Sequence, residues 1–376
     1  MSDQTSDDVS PMTRLTDQAT KLTINSLKGE PIVRLGLTVT LFFKHGETAE
    51  IKQRVAECFA EFRDAFKVQL KWQFYKTLRK MTASSFANCR RRILASSPDE
   101  QFIWSIGSGT LQQVAEHRMF FMNTPLSQSP FDRSCLKMVL PWTMLLEPGG
   151  AQRYERWLKF LCDQVSAEHG YGGLACTLPY DGQQHFPQEY VLANQYIGLM
   201  VDPLPHVESL RLTDHIKGVN WFTVLGSRFV NRLGGSDTLR RKLSGCSDIT
   251  FQTYDHGLII RAGCLPNLGG PGQDAPASYV EVNKAIKPVR MRTTGSLHSY
   301  SIPGETFGEI ASAAWYARFD DKPPVPLDAG ERCTCTGYWS SNATARSRCL
   351  FNEGDVMPAF PHMKGRTRWF WLQGVE

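Results

Sequence analysis

No run of about 18 uninterrupted apolar residues occurs in the 376-residue chain, so no segment of it reads as a membrane-spanning helix. The opening stretch, MSDQTSDDVSPMTRLTDQ, lacks the basic and apolar regions of an export signal, and the expectation is a protein that stays in the cytoplasm. Cysteine is sparse, ten residues at irregular spacings, which excludes a disulfide framework. Cys58 and Cys162 fall at apolar positions of amphipathic stretches and read as reduced core thiols. Charge of one sign is scarcely in excess: 42 Lys+Arg against 37 Asp+Glu leave a net +5, far below a dedicated nucleic-acid binder. The common catalytic signatures are missing too. There is no G-x-S-x-G elbow, no H-E-x-x-H, no phosphate-binding loop and no G-x-G-x-x-G; Gly107-Ser108-Gly109 has neither the third glycine nor a helix pattern behind it.

What is present is material for a large core. Apolar residues make up 41% and aromatics 11%, with 21 Phe and 9 Trp, enough to offset the chain entropy of folding. Residues 1–30 are polar and read as a mobile leader. Val33, Leu35, Leu37, Val39, Leu41 and Phe43 then alternate with other residues, the period of a half-buried strand. Thr48 is placed to cap a helix whose apolar face is Ile51, Val55, Cys58, Phe59, Phe62 and Phe66. Strand-like stretches follow over residues 101–107, 117–122 and 135–141. A second helix runs from Tyr154 through Val165, with Gly170 as its left-handed cap and a strand over residues 173–178 beyond it. Helices are predicted over residues 187–198, 276–286 and 306–319, and residues 249–254 and 258–262 read as a hairpin. Elements of both kinds are mixed without a βαβ rhythm, so the predicted fold class is α+β with a mostly antiparallel sheet and packed helices. Pro323-Pro324-Val325-Pro326 marks a linker over residues 321–330, leaving a main domain of 31–320 and a small β-rich module, rich in Trp, Cys and Gly, over 331–376.

Three clusters could carry chemistry. Residues 67–92 hold eight basic residues and no acidic one, interleaved with Trp72, Phe74, Tyr75 and Phe86. Either this is a solvated face, or Lys71, Arg79, Lys80, Arg90, Arg91 and Arg92 dock phosphates or an acidic protein surface. Trp72 and Phe74 share one face of a strand and read as core. Cys176, with His169 and His185 near it in sequence, has the residue types of a thiol nucleophile and base, but it sits inside an apolar strand and reads as packing. Cys333, Cys335, Cys349 and His362 are zinc-type ligands in the terminal module. Their spacing, with only one residue between the first two, matches no ordinary zinc knuckle, so no metal and no cofactor are expected.

Three phrases are distinctive in combination: His169-Gly170-Tyr171-Gly172-Gly173-Leu174, Ile216-Lys217-Gly218-Val219-Asn220-Trp221-Phe222-Thr223-Val224-Leu225 and Gly257-Leu258-Ile259-Ile260-Arg261-Ala262-Gly263. Together with Leu35-Gly36-Leu37-Thr38-Val39 and Leu233-Gly234-Gly235 they resemble the type VI secretion immunity family, the group that protects against VRR-Nuc-type nuclease effectors. The tail is similar to a short Trp/Gly-rich module of toxin-system proteins. The resemblance implies a protein without turnover that binds and neutralises a cognate toxin, with Gly170, Tyr171, Gly173, Gly218, Asn220, Trp221, Gly257 and Gly263 in structural roles: glycines for turns, Trp221 for packing. The rival readings are an enzyme with an unrecognised site and a nucleic-acid or zinc-binding module.

Overall fold

A computed structural model describes residues 10–128, 132–271, 273–291, 295–300, 302–320, 325–341, 343, 348–360 and 367–374. In chain order the elements are α1 (Pro11–Lys21), β1 (Ile24–Asn25), β2 (Pro31–Phe43), α2 (Ala49–Ala65), β3 (Trp72–Tyr75), β4 (Thr77–Lys80), α3 (Ala83–Leu94), β5 (Ile103–Gly107), β6 (Arg118–Met122), β7 (Ser134–Pro141), α4 (Gly150–Val165) and β8 (His169–Thr177). The chain continues with α5 (Phe186–Gln195), α6 (Pro205–Glu208), β9 (Phe222–Gly226), α7 (Ser227–Arg232), α8 (Ser236–Lys242), β10 (Ile249–Tyr254), β11 (Gly257–Ala262), α9 (Ala277–Ile286) and α10 (Glu309–Tyr316). A second, four-stranded sheet is built from β12 (Leu327–Asp328), β13 (Gly337–Ser341), β14 (Cys349–Phe351) and β15 (Arg368–Gly374).

The α+β expectation holds. The main sheet has 11 strands in the order β10-β11-β9-β8-β2-β7-β6-β5-β3-β4, with β1 added to β2, and its pairings are antiparallel. The 13-residue β2 is the hub, pairing with β7 on one side and β8 on the other, and every residue from Leu35 to Phe43 is buried, so the half-buried strand expected from its alternation is buried on both faces. Antiparallel register puts directly paired side chains on one face of the sheet. One face carries Trp104, Phe121, Leu136 and Leu41 in a single row and is covered by helices: Phe59 of α2 stacks on Trp104 at 3.8 Å, Phe86 of α3 lies 5.6 Å from the same ring, and Tyr154 of α4 reaches Phe222. The opposite face carries the row Phe74, Ser105, Phe120, Lys137, Thr40, Tyr171 and Thr223.

Thr48 accepts a hydrogen bond from the Ile51 amide and caps α2 as its sequence predicts. Three local expectations are corrected. Part of the supposed mobile leader is α1, opened by Ser10 and Pro11, with Leu15, Ala19 and Leu22 buried in the main core; its short polar sequence hides only three inward positions. The left-handed residue after α4 is Ser166 at φ 51°, and Gly170 lies inside β8. The Pro-rich linker falls partly on residues 321–324, outside the described residues, and Leu327–Asp328 already pairs with β15. The terminal sheet has its own core of Leu327, Cys333, Trp339, Met357 and Trp369, and β15 also touches α10.

Candidate partner-binding surface

The family-type phrases fold into the centre of the sheet. Tyr171 lies on β8, Asn220 and Trp221 lead into β9, and Gly257 and Gly263 bracket β11. Trp221 is fully buried, stacks on Tyr154 at 5.5 Å and donates through Nε1 to the Gly263 carbonyl at 3.0 Å. Asn220 ties neighbouring strands together, accepting from the Trp221 amide at 2.8 Å and donating to the Leu174 carbonyl at 3.4 Å. The glycines differ from expectation, since Gly170 and Gly173 lie in β8 rather than in turns. A Cβ on Gly170 would meet the Thr40 carbonyl oxygen at 2.3 Å, and Gly173, at φ +147°, would drive one into the Asn220 side chain at 2.4 Å.

Beside Tyr171 lies a buried ionic cluster. Asp202 accepts from Thr40 Oγ1 at 2.6 Å and from Tyr171 Oη at 2.8 Å, and Lys137 Nζ stands 3.0 Å from its carboxylate. Lys217 Nζ sits 2.6 Å from Glu208 and 4.0 Å from Asp202. Burial raises the Asp202 pKa, but Lys137, Lys217 and the two hydroxyls overbalance it and hold the carboxyl below its usual range. Glu208 is pushed up to about 7, by burial first and by Asp202 after it, against the pull of Lys217. Each charge is met by an opposite one, so the cluster ties the segment around α6 to the sheet.

The cysteine and histidine expectations resolve in the same region. Burial pushes the Cys176 thiol far above its usual value, with Glu189 adding to the effect, and the thiol stays protonated. His169 is buried with Nε2 2.8 Å from the Leu212 carbonyl; burial brings its pKa down to about 4, opposed by that hydrogen bond and by Glu168. The Cys176 and His169 side chains sit seven residues apart on β8 and form no nucleophile and base pair. In the terminal module Cys333 is buried and its Sγ donates to the Cys335 carbonyl at 3.0 Å, while Cys349 is exposed on β14. His362 lies outside the described residues, and among those described no group of three or more His, Cys, Asp and Glu could hold a metal ion.

The basic run folds into the β3–β4 hairpin at one end of the sheet and into α3 beside it. Phe86, Cys89 and Ile93 turn α3 inward, leaving Arg91 and Arg92 exposed and Arg90 half-buried. The hairpin then divides the six candidates. Arg79 pairs with Gln73 on the helix side, where it and Arg92 line a polar cavity of about 280 Å³ with Tyr75 and Cys89; the Arg92 guanidinium lies 5.0 Å from the Tyr75 ring. Lys80 pairs with Trp72 and so lies on the opposite face, while Lys71 precedes β3 and donates to the Val68 carbonyl at 2.6 Å. Gln73 and Tyr75 are the buried pair of β3, and Trp72 and Phe74 are only half-buried. This reverses the expectation for the two aromatics, because the helices cover the other face of the strand.

On the face of Trp72 and Phe74, the neighbouring strands contribute Arg118, Phe120 and Lys137. Tyr180 lies 6.3 Å from both Phe74 and Phe120, and His206 lies 6.1 Å from Phe120. Arg118, Phe120, Lys137, Tyr180, Asp202 and His206 line a cavity of about 50 Å³. Sequence reasoning found the strands here but not this grouping. The one available signal was Asp202, a lone acid in the apolar run from Leu199 to Pro205.

Such an arrangement defines an α+β binding protein, with paired charges inside and an aromatic, cationic surface where the sheet runs past its covering segments. Residues 54–319 match the family described as type VI immunity for VRR-NUC (TsiV), and the chain belongs to that family. It is a type VI immunity protein, and its family partners are nuclease effectors. Among solved structures it is similar to the Pseudomonas aeruginosa T6SS protein PA0821, at 25% identity and a TM-score of 0.71, over 83% of this chain and 92% of that one. No curated protein matches it in sequence.

Proposed function

We propose that the protein acts in the cytoplasm, by stoichiometric binding and without turnover, on one VRR-Nuc-type nuclease toxin. The family match over residues 54–319 carries this reading. The compartment follows from the chemistry of the target, since a toxin that cuts DNA has to be stopped where the DNA is. The inhibitor does not imitate DNA, because its net charge is +5. Binding instead occludes the active-site entrance or captures an acidic face of the toxin, and the basic hairpin and α3, with Lys71, Arg79, Lys80, Arg90, Arg91 and Arg92, supply long-range attraction. A tight inhibitor needs a substantial, partly apolar interface, on the order of 1,200 to 2,000 Å² in total.

The test is co-expression of VRR-Nuc-type toxins, beginning with any encoded next to this gene, with and without this protein in the cytoplasm, together with titration of the toxin's nuclease activity by purified inhibitor. Survival and a sharp end point at a fixed molar ratio are expected. Equal killing with and without the protein, or rescue only by an exported version, would refute the proposal.

A further inference from the structure

The Arg118 side chain stands apart from the other cations of this region. Lys137 and Lys217 each have a carboxylate within ion-pair distance, but among the described residues Arg118 has none. Its one hydrogen bond among the described residues is a 3.5 Å contact to the Gln113 carbonyl, at the long limit for such a bond. Burial pulls its pKa down to about 10, opposed by Tyr180 and Asp181, so it remains a cation at neutral pH while sitting partly desolvated. Asp181 acts only at longer range and is engaged by Gln112 Nε2 at 3.1 Å. A half-buried guanidinium with donors to spare is costly to the free protein unless it has another use.

The surroundings indicate what that use is. The cavity beside Arg118 has about 50 Å³ of room, enough for a carboxylate-sized group and well short of the roughly 300 Å³ or more of metabolite sites. Half-buried Tyr180 and buried Phe120 line it, Phe74 lies 6.3 Å from the Tyr180 ring, and half-buried Trp72 and exposed Lys80 lie further along the same face of the sheet. Aromatic side chains around a central Arg are the composition of an interface hot spot. The local charge favours an acid: Arg118 and Lys137 line the cavity, Lys80 lies on the same face, and the one carboxylate of the lining, Asp202, is engaged by Lys137, Thr40 and Tyr171.

We propose that this end of the sheet is the toxin-docking face, and that the pocket beside Arg118 receives an aspartate or glutamate side chain of the nuclease. The inference rests on the immunity reading. It moves the centre of the interface from the run of arginines on α3 to the opposite face of the hairpin, and the bidentate geometry of a guanidinium on a carboxylate supplies its specificity.

The deciding experiment is calorimetric titration of the purified VRR-Nuc effector that this protein protects against in co-expression into the wild-type protein and into Arg118→Glu, Arg118→Gln and Arg118→Lys, with melting temperatures recorded for each. Arg241→Glu, an exposed change on α8 near the other end of the sheet, serves as the control. R118E and R118Q are expected to lose about thirtyfold or more in Kd, R118K to fall between them and the wild type because an ammonium keeps the charge but not the paired hydrogen bonds, and R241E to retain the wild-type affinity. Hydrogen exchange in the complex should protect residues 72–80 and 118–120. No binding by the wild-type protein would defeat the immunity reading itself. Wild-type binding matched within threefold by a folded R118E would overturn this inference alone. If R118E does not fold, R118Q and the exchange pattern decide in its place. A 20-base-pair DNA duplex that bound the wild type and not R118E would assign the pocket to phosphate and also overturn it.

Discussion

Trp221 shows how one side chain can serve three elements. Its ring stacks on Tyr154 of α4, its Nε1 donates beyond the end of β11, and its amide is held by Asn220, so it fastens a helix to two strands from a fully buried position. Trp221→Ala leaves a large cavity and an unpaired carbonyl, and should cost about 3 to 5 kcal/mol of stability in urea titration. If the variant melts like the wild type but fails to bind the toxin, Trp221 is an interaction residue and the packing account is wrong. Arg118 is the opposite case, a side chain whose surroundings give the folded monomer little return. Alternation along the strand places both Arg118 and Phe120 toward the open face, and neither residue type could have announced that by itself.

At the scale of elements, the long amphipathic stretches behaved as their periodicity demands. A single face of α2 carries Ile51, Val55, Cys58, Phe59 and Phe62 into the core, and β2 forms where its apolar alternation lies, although the intervening Thr38, Thr40 and Phe42 are buried as well. Short elements were harder. With only Leu15, Ala19 and Leu22 turned inward, α1 has too few apolar positions to stand out from a polar leader, yet all three are buried and Gln18 donates to the Gly269 carbonyl at 3.3 Å. Leu15→Ala should therefore destabilise the whole domain by about 2 kcal/mol or more, read as a lowered urea midpoint. An unchanged midpoint would show that α1 does not dock. The β3–β4 hairpin was hidden for a related reason. Four-residue strands carry at most two side chains per face, too few for a period to declare which face is covered.

Over the whole molecule, buried histidines set the response to acid. Burial lowers the pKa of His169 to about 4, and it is the leading cause of lowered values at His117, His185 and His206. A neutral histidine in the fold that titrates near 6.5 when unfolded contributes stability at higher pH. That contribution is lost as pH falls from 6.5 toward 4, because the unfolded chain then binds more protons, and His169 alone accounts for about 3 kcal/mol at full shift. Glu208, raised to about 7, works in the opposite sense between its unfolded value near 4.5 and 7, but it is one group against four. The melting temperature should thus fall between pH 6.5 and 4, with a shallower fall in His169→Gln. A wild-type profile that is flat or rising toward acid would contradict this balance.

Composition and periodicity alone pointed to the α+β class, the antiparallel character, most element positions and a small terminal β module, while the family entered through the resemblance carried by three phrases of glycines and aromatics. These are legible because hydrophobic alternation and helical spacing are local, and because close strand approach restricts a position such as Gly170 to glycine. The basic run was equally visible as a run. Tertiary structure decided that it is no single patch, since a hairpin sends Arg79 and Lys80 to opposite faces. Only the pairing of β3 to β5, β5 to β6 and β6 to β7 brings Phe74, Arg118 and Lys137 to one surface, and only the return of the chain over residues 177–206 closes a cavity against them. Such long-range register is set by the summed burial of every strand, and no local window of sequence contains it.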